Sequence, residues 1–342
     1  MKFGRDVRKI RKFMIDKKKA KSILLKIQSA KRVLLCVHVS PDLDSLASCL
    51  AMDLVLNRLG KKTKIISYSQ IPSRFSFLPG VEKIETADFA KIDLSGFDLF
   101  LVLDCAQERM ITRSLFPTDL PKNFKIINID HHFTNAKFGD LNLVVLTSST
   151  AELLYELFLI WKMKIDKKLA ELLLFGLVSD TGCFRYSLTT RRTLETGAEL
   201  MKKGAVLSEV VLRTFQSYSF KTLKYWGKIL ENLQVEEKLG FVWSKISKVE
   251  CEELGITPID IDGAADQFLG IVEGTKFGLI LNEESENHIR GSLRSRDNFD
   301  VSRIAQKLGG GGHKAAAGFL LEMSLAEAEE KVFEVIREGL KK

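Results

Sequence analysis

Short, nearly unbroken apolar runs at residues 33–37, 65–68, 99–103 and 125–129 leave few folds open to this chain. A strand with one wet face alternates polar and apolar residues, so a continuous run of four or five marks a strand covered on both sides. A turn at Pro41 follows the first run, and Leu43, Leu46, Ala47, Leu50 and Leu54 then recur at helical spacing up to Gly60. Further helical patterns cover 151–161, 167–178 and 190–203, the last ending at Gly204. A parallel sheet flanked by helices accommodates that order.

Beyond it, 235–246, 270–272, 277–281 and 289–296 read as strands, with helices at 301–308 and 325–340. The expected fold class is therefore α/β, a larger parallel-sheet domain with flanking helices plus a smaller C-terminal α/β domain across a cleft. The expected boundaries are 1–30 for a basic N-terminal arm or helix, 31–204 for the first domain, 205–230 for a helical connector and 231–342 for the second domain.

Charge is unevenly distributed. Of the net +8, residues 1–32 hold 13 Lys and Arg against 2 acidic residues, which leaves 39 against 42 in the remainder. Basicity thus belongs to the arm, either as a solvated face or as a nucleic-acid contact. No apolar stretch is long enough for a membrane span, and the N-terminus lacks the apolar core of a secretory signal. The five cysteines are scattered without a C-x-x-C pair, so reduced thiols in a cytoplasmic protein are expected.

Polar chemistry collects where apolar runs end. His38 heads H-V-S-P-D-L-D with Asp42 and Asp44, Asp104 closes 99–103, Asp130-His131-His132 follows 125–129, and Asp180 follows 172–178. Each piece also has an ordinary reading. Asp42 and Asp44 precede a helix whose first N–H groups need acceptors, Asp104 and Asp180 suit turns, and histidines occur in cores and at surfaces. Taken together they point to one place, because a parallel sheet aligns the carboxyl ends of its strands. A carboxylate at the rim of a core needs a cation or donors to offset its desolvation. Mixed imidazole and carboxylate donors suit Mn²⁺ or a related divalent ion such as Mg²⁺ better than a closed thiolate zinc site. The pattern reads as a two-metal hydrolase. Adjacent histidines on an extended backbone point opposite ways, so one of His131 and His132 is expected on metal and the other toward substrate or behind the metal ligands.

H-x-x-P-D-x-D, the lone Asp104, D-H-H, the later Asp180 and G-G-G-H resemble the DHH phosphoesterase family over about residues 20–342. The two-domain arrangement is similar to its subgroup of nanoRNases and 3'-phosphoadenosine-5'-phosphate (pAp) phosphatases, which carry a DHH-associated C-terminal domain. The resemblance implies two Mn²⁺ ions, one held by His38, Asp42 and Asp104 and the other by Asp44, Asp104, His131 and Asp180. It further implies that His132 contacts the scissile phosphate and that Asp130 orients the histidines. Leu43 departs from the family, which often has glycine there, so the approach of substrate to that loop is not carried over.

In the second domain Arg290, Ser292, Arg294 and Arg296 alternate with Ile289, Gly291 and Leu293, placing guanidinium groups and a hydroxyl on one strand face. That face is a phosphate grip or a solvated edge, and the resemblance selects Ser292 and Arg294 as substrate contacts. One glycine ends a helix; four exceed that need, so Gly310, Gly311 and Gly312 with His313 are expected to cradle nucleotide. Arg109, paired with a phosphate or with Glu108 or another nearby acid, and Phe184 with Tyr186 stacking on a base complete the candidates, core packing being the other role open to the rings.

The expected activity is hydrolysis of very short oligoribonucleotides to 5'-mononucleotides together with removal of the 3'-phosphate of pAp. A cyclic or linear dinucleotide phosphodiesterase is an alternative, since activated water does not itself select the leaving group. A non-catalytic nucleic-acid-binding protein working through its basic arm is another. The sequence leaves a homodimer open.

Overall fold

A computed structural model describes residues 15–257, 261, 263–296, 299–312 and 314–340. Arm residues 1–14 and His313 therefore lie outside the described residues. The chain divides into two compact units, Met1–Ser217 and Tyr218–Lys342.

The first unit opens with α1 (Lys17–Ser29), capped by the Asp16 carboxylate. Its Ala20, Ile23 and Ile27 are buried, and the Trp161 indole N–H donates to Ala20 O at 2.8 Å. This part of the basic arm is thus a docked helix. There follow β1 (Arg32–Val37), α2 (Leu43–Arg58), β2 (Lys62–Ser67), β3 (Ile84–Thr86), β4 (Leu99–Leu103), β5 (Lys125–Asp130) and β6 (Leu141–Val144), then α3 (Thr150–Ile160), α4 (Lys167–Asp180), α5 (Arg191–Lys202) and α6 (Leu207–Phe215). The strands form one parallel sheet in the order β3-β2-β1-β4-β5-β6.

Both faces of this sheet are covered, which explains the unbroken apolar runs. Val33, Leu35, Val37, Leu99, Leu101 and Leu103 enter the helix-side core, whereas Leu34, Cys36, Phe100 and Val102 enter a second core. There Phe89 stacks on Phe100 at 4.5 Å. Burying each such aliphatic side chain contributes about 1.5–3 kcal/mol. The pattern missed β3 and β6 because these outer strands are short and partly exposed. Strand order reverses between β1 and β4, and a crevice opens at the carboxyl ends of strands flanking such a reversal. His38 and Asp104 stand at those two ends.

The second unit contains α7 (Phe220–Glu231), β7 (Gln234–Glu236), β8 (Phe241–Ile246), α8 (Lys248–Glu253), β9 (Phe277–Ser285), β10 (His288–Ser295), α9 (Ser302–Lys307), β11 (Gly311–Gly312), β12 (Ala316–Glu322) and α10 (Leu325–Leu340). Its sheet runs β11-β12-β10-β9-β8-β7, with β8 and β9 parallel and the other pairs antiparallel. Two expectations are corrected here. Segment 235–246 is a hairpin rather than one strand, because the chain reverses at Gly240, where φ is 71°. Residues 270–272 form no strand; they leave a π-helical turn (Ala265–Leu269), and Ile271 is exposed. The stretch expected as a connector is two helices, α6 in the first unit and α7 in the second. No described helix is long and apolar enough to cross a membrane.

Candidate active site

Asp42 caps α2, its Oδ1 accepting from Ser45 N at 2.9 Å, while its Oδ2 lies 3.2 Å from His38 Nε2. The capping and chemical readings of this residue are therefore compatible, one oxygen for each. Asp44, the second residue of α2, is fully buried and accepts from the backbone N–H groups of Thr150 (2.7 Å) and Ala151 (3.0 Å) at the start of α3. A positive helix end suits a carboxylate.

Asp104 leaves β4 with φ 57°, a left-handed conformation uncommon outside glycine but tolerated by aspartate. That turn aims its buried carboxylate back across the strand ends. Its Oδ1 accepts from Thr150 Oγ1 at 2.9 Å and lies 3.5 Å from His131 Nε2; its Oδ2 lies 3.7 Å from His38 Nε2. His131 Nδ1 donates to Thr147 O at 3.2 Å, which turns the Nε2 lone pair toward Asp104 and toward Asp180 Oδ2, 3.3 Å away. Acceptors facing acceptors at these distances require a cation or proton between them.

One detail differs from expectation. The rings of His131 and His132 lie side by side, with centroids 4.4 Å apart, and both approach Asp104 Oδ1. Alternation fails because β5 ends at Asp130, before either histidine. Asp180 ends helix α4, in keeping with the helical pattern over 167–178, so it enters from the helical layer and not from a strand end.

Among the described residues, three sets of donor atoms, each mutually within 4.8 Å, overlap: His38, Asp42 and Asp104; Asp104, His131 and His132; Asp44, His131 and Asp180. Burial and the neighbouring carboxylates push Asp44, Asp104 and Asp180 above the usual acid range, with the histidines opposing this at Asp104. Burial works against a charged His38, yet Asp42 and Asp104 outweigh it and raise its pKa to about 10. Acids that repel one another this closely, facing imidazole nitrogens, fit divalent cations.

Sequence reading missed Thr150 and Asn135. Ser149 and Glu152 carry an N-terminal helix signature, S-x-x-E, that would have placed Thr150 at a helix start. No local signal announces Asn135, whose amide donates to Asp130 Oδ2 at 2.6 Å. Arg109 lies exposed in a single 3-10 turn after β4. Phe184 packs against the helix-side core, whereas Tyr186 is half exposed.

In the second unit Arg290, Ser292 and Arg294 share the β10 face opposite buried Ile289 and Leu293, and Arg296 lies beyond the strand. With Tyr225 and Asn282, the side chains of Arg290, Ser292 and Arg294 line a polar cavity of about 150 Å³; Arg296 is not part of it. The Tyr225 hydroxyl donates to Asn282 Oδ1 at 2.7 Å and fixes the amide's orientation. The glycine run has a steric explanation that its sequence did not reveal. A Cβ on Gly310 would lie 2.1 Å from Gly318 O, and one on Gly312 would lie 2.6 Å from Ala316 O, so both are required by the approach of β12. Gly311 meets no neighbour.

Residues 32–177 match the DHH family N-terminal domain and residues 241–342 match the DHHA1 domain. The bifunctional oligoribonuclease and PAP phosphatase NrnA of Thermus thermophilus is 31% identical over 315 residues, covering 90% of this chain and 90% of the relative. The protein of the same description from Bacillus subtilis is 28% identical over 290 residues, covering 84% and 88%. An exopolyphosphatase-related protein from Bacteroides fragilis superimposes with a TM-score of 0.87 at 26% identity, covering 96% of this chain and 99% of the other.

Proposed function

This chain belongs to the DHH family of metal-dependent phosphoesterases, and on that footing we propose that it hydrolyses very short oligoribonucleotides to 5'-mononucleotides and removes the 3'-phosphate of pAp. The observation that carries the reading is the overlap of three donor sets on Asp104 and His131 at the sheet's switch point. Similarity along most of both chains to relatives described as oligoribonuclease and PAP phosphatase supports the substrate class.

In this reading His38, Asp42 and Asp104 would hold one ion, and Asp44, Asp104, His131 and Asp180 would hold the other, with Mn²⁺ the preferred metal. Bound there, the divalent pair supplies positive charge that activates water and offsets charge on phosphoryl oxygens. His132 does the remaining polar work. Its Nδ1 is engaged by Asp130, and although burial opposes the charge, that hydrogen bond and Asp104 raise its pKa to about 9. Oriented in this way by Asp130, the ring is a donor to the scissile phosphate. Ser292 and Arg294 in the cavity of the second unit grip a nucleotide phosphate, supported by the family's own preference and by the cavity's polar lining.

Product-resolved assays with Mn²⁺ on RNAs from two nucleotides upward, on pAp, and on cyclic di-AMP with its linear product test this. Preferred release of 5'-mononucleotides from the shortest RNAs, with phosphate release from pAp, is the expected outcome. Turnover confined to the cyclic or linear di-AMP substrates would transfer the reading to a dinucleotide phosphodiesterase. Inactivity on every nucleotide would refute it.

A further inference from the structure

Thr150 is buried at the first position of α3 and contacts two acids that arrive from different parts of the chain. Ser149 caps the helix by accepting from Glu152 N at 3.0 Å, so the N–H groups of Thr150 and Ala151 remain for Asp44, at 2.7 and 3.0 Å. The Thr150 hydroxyl donates to Asp104 Oδ1 at 2.9 Å. One residue thus holds Asp44 through its backbone and Asp104 through its side chain.

The opposite side of Asp44 is also closed. A Cβ on Gly176 of α4 would lie 2.4 Å from Asp44 Oδ1 and 2.7 Å from Ala151 Cβ, so α4 passes directly against the pair. Asp44 is confined between the start of α3 and the bare backbone of α4. Among the described residues no backbone N–H donates to the Asp104 carboxylate, so the Thr150 hydroxyl, anchored at the start of a helix, is what fixes Asp104 Oδ1 relative to Asp44.

We propose that Thr150 is a positioning residue that holds Asp44 and Asp104 in one fixed frame, orienting both acids before a cation arrives. The inference rests on the reading of these acids as metal-holding. Thr150 touches neither substrate nor ion in this role; it acts through the two carboxylates. Removing an outer partner of this kind lowers metal affinity or activity by about 10–100-fold.

Mn²⁺ binding to the full-length protein, followed by calorimetry and by electron paramagnetic resonance, provides a readout besides activity. Thr150→Val keeps the shape and the N–H but lacks the hydroxyl; Thr150→Ser keeps the hydroxyl. The expected result is an affinity loss of about tenfold in the valine variant, with an unchanged far-ultraviolet spectrum and recovery in the serine variant. kcat should fall with affinity at subsaturating Mn²⁺, while KM for substrate stays constant. Wild-type affinity in Thr150→Val, or no recovery in Thr150→Ser, overturns the proposal. If the valine variant does not fold, Thr150→Cys, a similar size with a weak donor, takes its place under the same criteria. Absence of Mn²⁺ binding by the wild type instead overturns the metal reading itself, and this proposal with it.

Discussion

Asp130 Oδ1 lies 2.8 Å from His132 Nδ1, at the point where the fifth strand ends and the two histidines begin. Asn135 donates to the other oxygen of Asp130, so this buried carboxylate is held from both sides and stays below the usual acid range despite its burial. An ionised Asp130 keeps the proton on Nδ1 and stabilises the charged ring.

Replacing Asp130 with Asn removes that charge while preserving shape. The pKa of His132 should fall from about 9 toward the ordinary 6.5. If protonated His132 is the required form, activity is lost above its pKa, so the alkaline limb of the kcat profile moves to lower pH. A loss in kcat of about 10–100-fold at neutral pH is expected. An unmoved alkaline limb would remove His132 from its assigned role.

Asp104→Asn tests the centre of the cluster. Asp104 participates in two of the three donor sets, so its loss should lower turnover by more than about 100-fold, beyond the effect of an outer partner. Circular dichroism should remain native, because the change relieves a buried, repelled carboxylate. Retained turnover would remove Asp104 from the catalytic centre, whereas a wild type without turnover whose nucleic-acid affinity is unchanged by the substitution would argue for a binding module in place of an enzyme.

Metal-free stability should depend on pH in a definite direction. His38 at about 10 and His132 at about 9 both exceed the 6.5 of an unperturbed imidazole, so the folded state holds these protons more tightly. Their stabilisation is complete below pH 6.5 and is lost as pH rises through about 9 and about 10, at up to about 1.4 kcal/mol per pH unit for each proton. In EDTA, Tm should therefore decline across that window. Mn²⁺ replaces the protons, so the increment in Tm that it produces should grow over the same range. Thermal melts with EDTA or Mn²⁺ at graded pH check both signs, and a rising Tm in EDTA contradicts the argument.

Gly176→Ala should disturb the site from behind. The added methyl group meets Asp44 and Ala151 well inside contact distance, and forced overpacking costs about 1–3 kcal/mol. Urea unfolding should report that loss, and calorimetry should show weaker Mn²⁺ binding. A variant with both properties unchanged would mean that α4 does not confine Asp44.

Arg294→Ala addresses the second unit. A residue that grips phosphate equally in ground and transition states raises KM and leaves kcat nearly unchanged. An increase in KM of about tenfold, equivalent to about 1.4 kcal/mol, is expected for pAp and for dinucleotides. Lowered kcat at constant KM would place this arginine in the chemical step.

Much of this molecule is legible locally. Val33 to Val37 and Leu99 to Leu103 read as strands covered on both faces, their shortness and bounding turns setting them apart from the longer apolar run 172–178, which is helical. Once those strands are parallel and adjacent, His38 and Asp104 must emerge at one edge, and the acids and imidazoles announce the metal chemistry by type. Short outer strands such as 84–86 escaped because partial exposure removes their pattern.

Other features exist only after folding. Asp44 depends on N–H groups 106 and 107 residues away, and Thr150 reaches Asp104 across 46. Asp180 joins from a helix end, and both histidines face one side because the strand stops before them. Periodicity records which side of its own element a residue occupies. It carries no information about which distant helix end will supply a donor, or whether a neighbouring backbone will leave room for it; those are consequences of packing, and packing is a property of the whole chain.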